Sequence, residues 1–363
     1  MEPVRSAIIG GGFIGHVHAR AVLANAGRLV TVYDAKPEVS QALVSTLRAD
    51  RVVASYESVL ADADVNLVHV CTPNHLHFPM AMAAIDAGKH VICEKPLAVT
   101  SDEARALRDA ADAAGVVAAV PFVYRFYASI RDARARVTGN ELGDLRLLHG
   151  HYLQDWLLGE SDNNWRVEPQ LGGASRAFGD IGVHWCDLLE FVSGQRIARL
   201  NARAATTQRR KNAAGELVDV ATEDLVSFIF ETESGVVGNA VVSQVSAGRP
   251  NEVVLNIDGA RSAISFNQMM PDSLWIGARA QNSIVWRGTS AASTAAQAYV
   301  NIPSGHPQGY QDAFNFFYRD VCLAIQGENV DGLPTFEDGL RAAQLTEAVM
   351  KSAATRDWQE VPA

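Results

Sequence analysis

The sequence predicts an α/β protein with two domains: an N-terminal doubly wound parallel sheet, then a C-terminal α/β domain built on an open, mostly antiparallel sheet. Three observations carry this. An apolar run, Ala7 to Ile9, stops at a glycine-rich turn and passes at once into a helical pattern at Val17, Ala21 and Val22. Strand-like and helical runs then alternate as far as residue 123. From residue 197 to 276, short β-rich runs follow one another with turn signals between them.

The first turn reads Gly10-Gly11-Gly12-Phe13-Ile14-Gly15. Gly10 permits the sharp turn, Gly12 leaves no side chain where a pyrophosphate must approach, and Gly15 lets the helix sit close to the strand. The helix N-terminus offers free amide groups and partial positive charge to phosphates. A second apolar strand, Leu29 to Tyr33, ends in Asp34, about 20 residues after the glycines, as a dinucleotide fingerprint requires. The Asp34 carboxylate can accept from ribose hydroxyls and would repel a 2′-phosphate. NAD is therefore favoured over NADP, with Lys36 nearby as the opposing feature.

Further strands are expected at Val52 to Ala54, Val65 to Cys71, His90 to Cys93 and Val116 to Val123. Helices are expected at Val17 to Asn25, Glu38 to Arg48, His75 to Ala87 and Asp102 to Ala114. Ligands of such sheets bind at the carboxyl ends of the strands, so the residues after each strand matter most. Thr72-Pro73-Asn74 leaves the fourth strand and can bring a hydroxyl and backbone amides to a cofactor ribose; Asn74 can equally cap the next helix. His75 and His77 do not share a helix face and are read as polar rim residues rather than metal ligands. In Glu94-Lys95-Pro96, the proline fixes the backbone of Lys95, through a cis peptide or otherwise, so that its ammonium can project above the sheet and hold a substrate hydroxyl.

After residue 124 the rhythm changes. Tyr124-Arg125-Phe126 opens a helix to Val137, and Leu145 to Leu153 alternates as a strand, with Tyr152 near its end. A long loop follows, from Gln154-Asp155-Trp156 through Asn164-Trp165-Arg166 to Gly172-Gly173; loops of this length usually bind something. Trp156 and Trp165 suit stacking on a ring or sugar, and Arg125 and Arg166 suit forked hydrogen bonds. Asp180, His184 and Asp187 are spaced by four and three and are expected on one helix face. Histidine exchanges a proton near neutral pH, and an aspartate one turn away can orient it or hold a hydroxyl. Two other readings stay open: Asp180 as a helix cap, and a metal site, although no distant ligand cluster supports one.

The later strands are expected at Ile197 to Ala205, Asp224 to Phe230, Val236 to Val245, Val253 to Ile257, Ser262 to Phe266 and Leu274 to Gly277, with hairpin turns at Ser234-Gly235 and Asp258-Gly259. Lys211 to Gly215 reads as a mobile hairpin tip. Ser304-Gly305-His306-Pro307 is a loop that can return His306 to the crevice, and helices close the chain at Tyr310 to Ile325 and Phe336 to Ser352.

At 363 residues the chain exceeds one ordinary domain. A net charge of −10 argues against nucleic acid or an anionic membrane as partner. The four cysteines, Cys71, Cys93, Cys186 and Cys322, are scattered without C-x-x-C spacing, which favours a reduced, cytoplasmic setting. No signal peptide is expected, because a strand begins within a few residues of Met1. No apolar run approaches the ~20 residues of a membrane span.

Taken together, the glycine turn, Cys71-Thr72-Pro73-Asn74-His75-Leu76-His77, Glu94-Lys95-Pro96, Tyr124-Arg125-Phe126, Trp165-Arg166, the Asp180/His184 helix and Thr335-Phe336-Glu337-Asp338-Gly339 resemble the Gfo/Idh/MocA family across essentially the whole chain. The resemblance implies a Rossmann domain, 1–124, and a substrate-binding and oligomerisation domain, 125–363. It implies Lys95, Asp180 and His184 as the catalytic set of an NAD(P)-dependent oxidoreductase acting on a sugar, glycoside or polyol hydroxyl. Cofactor contacts are expected from Gly10, Gly12, Phe13, Ile14, Gly15, Asp34, Thr72 and Asn74. His77, Glu94, Lys95, Arg125, Trp165 and Arg166 complete that set. Substrate contacts are expected from Lys95, Arg125, Tyr152, Asp155 and Trp156, together with Arg166, Asp180, His184 and His306. The loop at Gln154-Asp155-Trp156 looks like members acting on glucosides and anhydrosugars. A homo-oligomer through the C-terminal sheet is also implied. The same fold serves glycoside-cleaving enzymes that oxidise and re-reduce one bound NAD, and sugar-responsive regulators; the intact Lys95, Asp180 and His184 speak against the regulator.

Overall fold

The computed structural model describes residues 4–207, 209–211 and 215–362; residues 212–214, inside the expected hairpin tip, lie outside the described residues. The chain forms two compact units, Met1–Val123 with Tyr310–Arg341, and Tyr124–Gly309 with Ala342–Ala363.

In the first unit, strands β1 (Arg5–Ile9), β2 (Arg28–Tyr33), β3 (Arg51–Val52), β4 (Leu67–Val70), β5 (His90–Cys93) and β6 (Ala118–Ala119) pair in parallel in the order β3-β2-β1-β4-β5-β6. Helices α1 (Phe13–Ala24), α2 (Pro37–Leu47), α3 (Tyr56–Leu60), α4 (His77–Asp86) and α5 (Ser101–Ala114) make the crossovers. Ile8, Ile9, Val30, Val32, Val68, Val91 and Ile92 are fully buried, as strands covered on both faces require. The order reverses between β1 and β4. This puts the glycine turn and Thr72 on either side of the switch point where such sheets bind ligands.

The outer strands are shorter than the apolar runs suggested. Strands β3 and β6 are two residues each; beyond them only single backbone bonds follow, Val53 N to Val32 O at 3.4 Å and Val120 N to Pro334 O at 3.1 Å among the described residues, which do not extend the ladders. Helix α3 was not expected; Ser55 caps it, its hydroxyl accepting from Ser58 N at 3.3 Å. The helix Tyr310–Ile325 was expected in the C-terminal domain but packs on α1 instead. Gln311 donates to Val17 O at 3.1 Å, Asn25 donates to Asn315 O at 2.9 Å, and Phe314, Phe317 and Val321 are buried. Amphipathic spacing shows that a helix has a partner, not which partner.

The second unit holds α6 (Ala128–Thr138), β7 (Leu145–Leu153), a short helix α7 (Pro169–Gly172), a π turn (Phe178–Gly182) and α8 (Val183–Ser193). The residues Val123–Phe126 form a 3-10 turn rather than the start of α6. Then come β8 (Ile197–Ala205), the two-residue pair β9 (Arg210–Lys211) and β10 (Leu217–Val218), β11 (Leu225–Thr232), β12 (Val237–Ser243), β13 (Glu252–Gly259), β14 (Ser262–Asn267), β15 (Ser273–Ala278), β16 (Asn282–Trp286), α9 (Thr294–Gln297) and β17 (Gln359–Glu360). The large sheet runs β16-β15-β14-β13-β7-β12-β11-β8-β17, antiparallel except for β12 with β7.

Alternate residues of β11 and β12 separate its two faces. Val226, Phe228 and Phe230 point inward and are buried, the two rings meeting Trp185 of α8, whose indole donates to Val254 O at 2.9 Å. Ile229, Val237 and Val241 face outward and are exposed. Ser234-Gly235 turns the β11–β12 hairpin, with Gly235 at φ +83°. The next hairpin turns at Ala260-Arg261, two residues beyond the expected start, because Asp258 and Gly259 still pair with β7.

Candidate active site

The N-terminal unit gathers its functional side chains at the carboxyl edge of its sheet. Gly10 has φ +96°, and a Cβ there would lie 2.5 Å from Cys71 O; a Cβ on Gly15 would lie 2.1 Å from Gly10 O. Gly12 precedes α1 with no capping side chain and open space beside its Cα. Ile14 is half-buried, whereas Phe13 is exposed. The Asp34 carboxylate already accepts from Gly11 N at 2.8 Å and Lys36 N at 2.9 Å, which fixes an anionic group at the end of β2. After β4, Asn74 is buried. The Thr72 hydroxyl oxygen and the Nδ1 of His75 are shielded without a hydrogen-bond partner among the described residues.

Two residues expected at the cofactor are turned elsewhere. His77 is buried rather than on a rim, with its ring nitrogens 2.7 Å from Pro96 O and 2.9 Å from Thr72 O. It clamps the turn after β4 to the turn after β5. Burial holds its ring below the ordinary imidazole pKa despite those carbonyls. Glu94 points into the interior, where one oxygen lies 3.0 Å from His18 Nε2 and the other accepts the Lys95 backbone N–H at 3.0 Å. Burial alone would raise its carboxyl, but the His18 hydrogen bond and the charges of His18 and Lys95 offset this and hold it low. The Lys95-Pro96 bond is cis.

The C-terminal unit builds its site on the π turn and α8. The segment Phe178–Gly182 contains two glycines, and a Cβ on Gly182 would lie 2.5 Å from the Phe178 ring. Glu223 holds the entry to this turn, accepting from Ser175 Oγ at 2.7 Å and Phe178 N at 2.9 Å. Asp180 does not cap the helix with its side chain. Its carboxylate accepts from Gln244 Nε2 at 2.8 Å and lies 3.2 Å from Arg166 Nε. Arg166 stacks on the Trp165 ring at 4.3 Å and reaches the Asn164 side chain at 3.3 Å.

His184 follows one turn later. Tyr124 meets its ring edge-on at 5.3 Å, and Tyr152 lies at 6.5 Å. The two phenols are 2.6 Å apart, and Tyr152 donates to Asn251 at 2.9 Å. Burial raises the Tyr124 phenol, and the Asp180 charge adds to this, so aspartate, histidine and both tyrosines share one neighbourhood. Asn251 also accepts from Gln154, which in turn accepts from the indole of Trp156 at 2.7 Å. Asp155 accepts from Gly248 N at 3.2 Å.

Asp187 does not join the Asp180/His184 face. Together with Arg125 it forms a buried two-point pair, with Arg125 Nε 2.9 Å from one oxygen and the guanidinium 4.9 Å from the Phe191 ring. Arg125 was expected at cofactor and substrate; in this unit its fork is occupied by Asp187. His306 is exposed, and its backbone carbonyl accepts from Arg287.

Sequence reasoning missed Gln244, Asn251, His18 and the buried Arg176–Asp224–Arg210 cluster. Arg210 donates to the carbonyls of Leu157 at 2.7 Å and Asp162 at 2.9 Å, and so holds the loop carrying Trp156. No local feature of the sequence marks these residues. Among the described residues no group of three or more His, Cys, Asp or Glu is placed to hold a metal ion. No helix among them is long and apolar enough to cross a membrane.

Residues 4–122 match the family model described as oxidoreductase family, NAD-binding Rossmann fold, and residues 130–265 match the GFO/IDH/MocA C-terminal domain. The chain belongs to the Gfo/Idh/MocA oxidoreductase family. Levoglucosan dehydrogenase of Pseudarthrobacter phenanthrenivorans is 30% identical over 394 residues, spanning 100% of this chain and 99% of that protein. Glucose-6-phosphate 3-dehydrogenase of Bacillus subtilis is 26% identical over 350 residues, spanning 94% and 93%. A solved structure of levoglucosan dehydrogenase in complex with NADH and levoglucosan is similar with a TM-score of 0.91 at 28% identity, over 100% of each chain.

For this Gfo/Idh/MocA chain the N-terminal unit is the NAD-binding Rossmann domain, and its residues fit that cofactor. The bare N-terminus of α1 at Gly12 leaves room for a pyrophosphate, the Thr72 hydroxyl, without a hydrogen-bond partner among the described residues, stands at the switch point, and Asp34 supplies an acceptor at the end of β2.

Proposed function

We propose that this family member oxidises a secondary hydroxyl of a sugar, glycoside or polyol, with Lys95, Asp180 and His184 acting on that hydroxyl. The observation that carries the reading is the Asp180–His184 arrangement: a carboxylate held by two protein donors, one helical turn before a histidine walled by tyrosines. The names of the relatives support the substrate class, since both of those described act on sugars.

Bound NAD supplies the acceptor for the hydrogen that leaves carbon with its electron pair. His184 takes the hydroxyl proton as the C–H bond breaks and the C=O bond forms; run in reverse, it returns that proton during ketone reduction. Lys95 hydrogen-bonds the same oxygen and stabilises the negative charge that develops there. Asp180, held by Arg166 and Gln244, orients the hydroxyl. Tyr124 and Tyr152 restrict the imidazole ring to one plane.

Asp34 supports NAD over NADP, because its carboxylate would face a 2′-phosphate. We also infer a cytoplasmic homo-oligomer. The outward face of the large sheet, with Ile229, Val237 and Val241, supports self-association, and the absence of a disulfide among the four cysteines supports a reducing setting.

The test is NAD and NADP reduction against free sugars, sugar phosphates, inositols and glycosides. Net NADH with at least one of these is expected. Product from a glycoside without net NADH would replace the reading by internal redox.

A further inference from the structure

Behind Lys95 lies a chain of polar side chains that hydride transfer does not itself require. His18 sits on the buried face of α1, His69 within β4 and Glu94 at the end of β5, all three buried. Burying such groups in an aliphatic sheet core is costly unless their hydrogen bonds are met. Here they are met in sequence. His18 Nε2 lies 3.0 Å from Glu94 Oε1, His18 Nδ1 lies 3.0 Å from His69 Nδ1, and His69 Nε2 lies 3.3 Å from Ser6 Oγ. Ser6 Oγ in turn lies 3.2 Å from Tyr318 OH, and the Tyr318 ring stacks on His69. At the other end, Glu94 Oε2 accepts the backbone N–H of Lys95.

A buried polar chain of this kind is often no more stabilising than apolar residues of equal volume, so its value lies in fixing one arrangement. The group it fixes is Lys95. On the far side of that residue, Pro96 O is held by His77 at 2.7 Å. Both flanks of the Lys95 backbone are thus tied, which fixes where its side chain starts. The same His18 rides on α1, whose N-terminus faces the phosphate position.

We propose that the His18–Glu94 pair is a positioning device for Lys95, setting where its ammonium stands relative to the dinucleotide helix. The inference rests on Lys95 acting as the proposed function has it. Neither His18 nor Glu94 touches substrate. Releasing the Lys95 N–H lets the backbone relax, and a displacement of about 1 Å at a catalytic group can cost about 100-fold in rate.

The experiment compares Glu94→Gln, His18→Asn, His18→Gln, Lys95→Ala and the double variant Glu94→Gln/Lys95→Ala, reading kcat, KM, NAD Kd and Tm on the full chain. Glu94→Gln and His18→Asn should each lower kcat by about 10-fold or more while NAD Kd stays within about 3-fold. A glutamine at position 18 can still place a donor where Nε2 stood, so His18→Gln should recover most of that loss. In the Lys95→Ala background, Glu94→Gln should add nothing further. Losses that multiply in the double variant would overturn the positioning role while leaving Lys95 catalytic. Full activity of Lys95→Ala would instead overturn the proposed function. Should Glu94→Gln not fold, His18→Asn against His18→Gln decides alone: equal activities contradict the proposal.

Discussion

Gln244 Nε2 donates to Oδ2 of Asp180 across 2.8 Å, and Gln244 is itself fully buried. A buried amide committed to a carboxylate fixes the direction of that carboxylate. Hydrogen bonds to charged groups contribute about 1.5–3 kcal/mol, so Gln244→Leu should lower kcat/KM by roughly 10- to 100-fold. Gln244→Glu would set two carboxylates side by side, so the Asp180 carboxyl should titrate at higher pH. The acid limb of the kcat/KM profile should then move to higher pH, and an unmoved limb would separate Asp180 from the reaction.

The Arg125–Asp187 pair yields the opposite expectation. Both side chains are buried, and removing one breaks a two-point ion pair in the interior. Asp187→Ala should cost about 3–5 kcal/mol in urea unfolding. Turnover of the remaining folded enzyme should be nearly unchanged. A large kcat loss at unchanged stability would put Asp187 back among the reacting groups.

His69 and His77 predict acid sensitivity. Burial holds both rings below the ordinary value of about 6.5, so they are neutral in the fold and bind protons more readily once unfolded. Their effect on stability is absent above about pH 6.5. Stability falls as pH drops below that value toward the folded-state pKa values, by up to about 1.4 kcal/mol per pH unit for each histidine. Urea midpoints at pH 8 and pH 5.5 measure it. A midpoint that does not fall at the lower pH would contradict the neutral, buried assignment.

Asp34 should set cofactor choice. Asp34→Ala removes the acceptor that also holds Gly11 N and Lys36 N, so NAD Kd should rise and the preference over NADP should shrink. Fluorescence titration with both dinucleotides reads this directly.

What the sequence disclosed follows from the range of each interaction. The glycine turn was legible because Gly10 and Gly15 answer local constraints, a positive φ and a close backbone approach. The parallel, doubly wound character of the first sheet followed from the alternation of apolar strands and helices. Spacing puts Asp180 and His184 on consecutive turns of the chain. It failed for Asp187, whose partner Arg125 is 62 positions away, and for Glu94, whose partner His18 is 76 away. Nothing local marks such pairs. A helix pattern shows an apolar face, and a carboxylate at a strand end suggests a ligand; whether either instead finds a partner inside the fold is decided by tertiary packing.

The most direct measurement is NADH formation by the wild type, Lys95→Ala and His184→Asn with whichever sugar the substrate panel selects, alongside NAD binding by each. The expected result is that both variants bind NAD within about 3-fold of wild type and lose at least about 100-fold in turnover. Wild-type turnover in either variant would contradict the assignment of that residue to the chemistry.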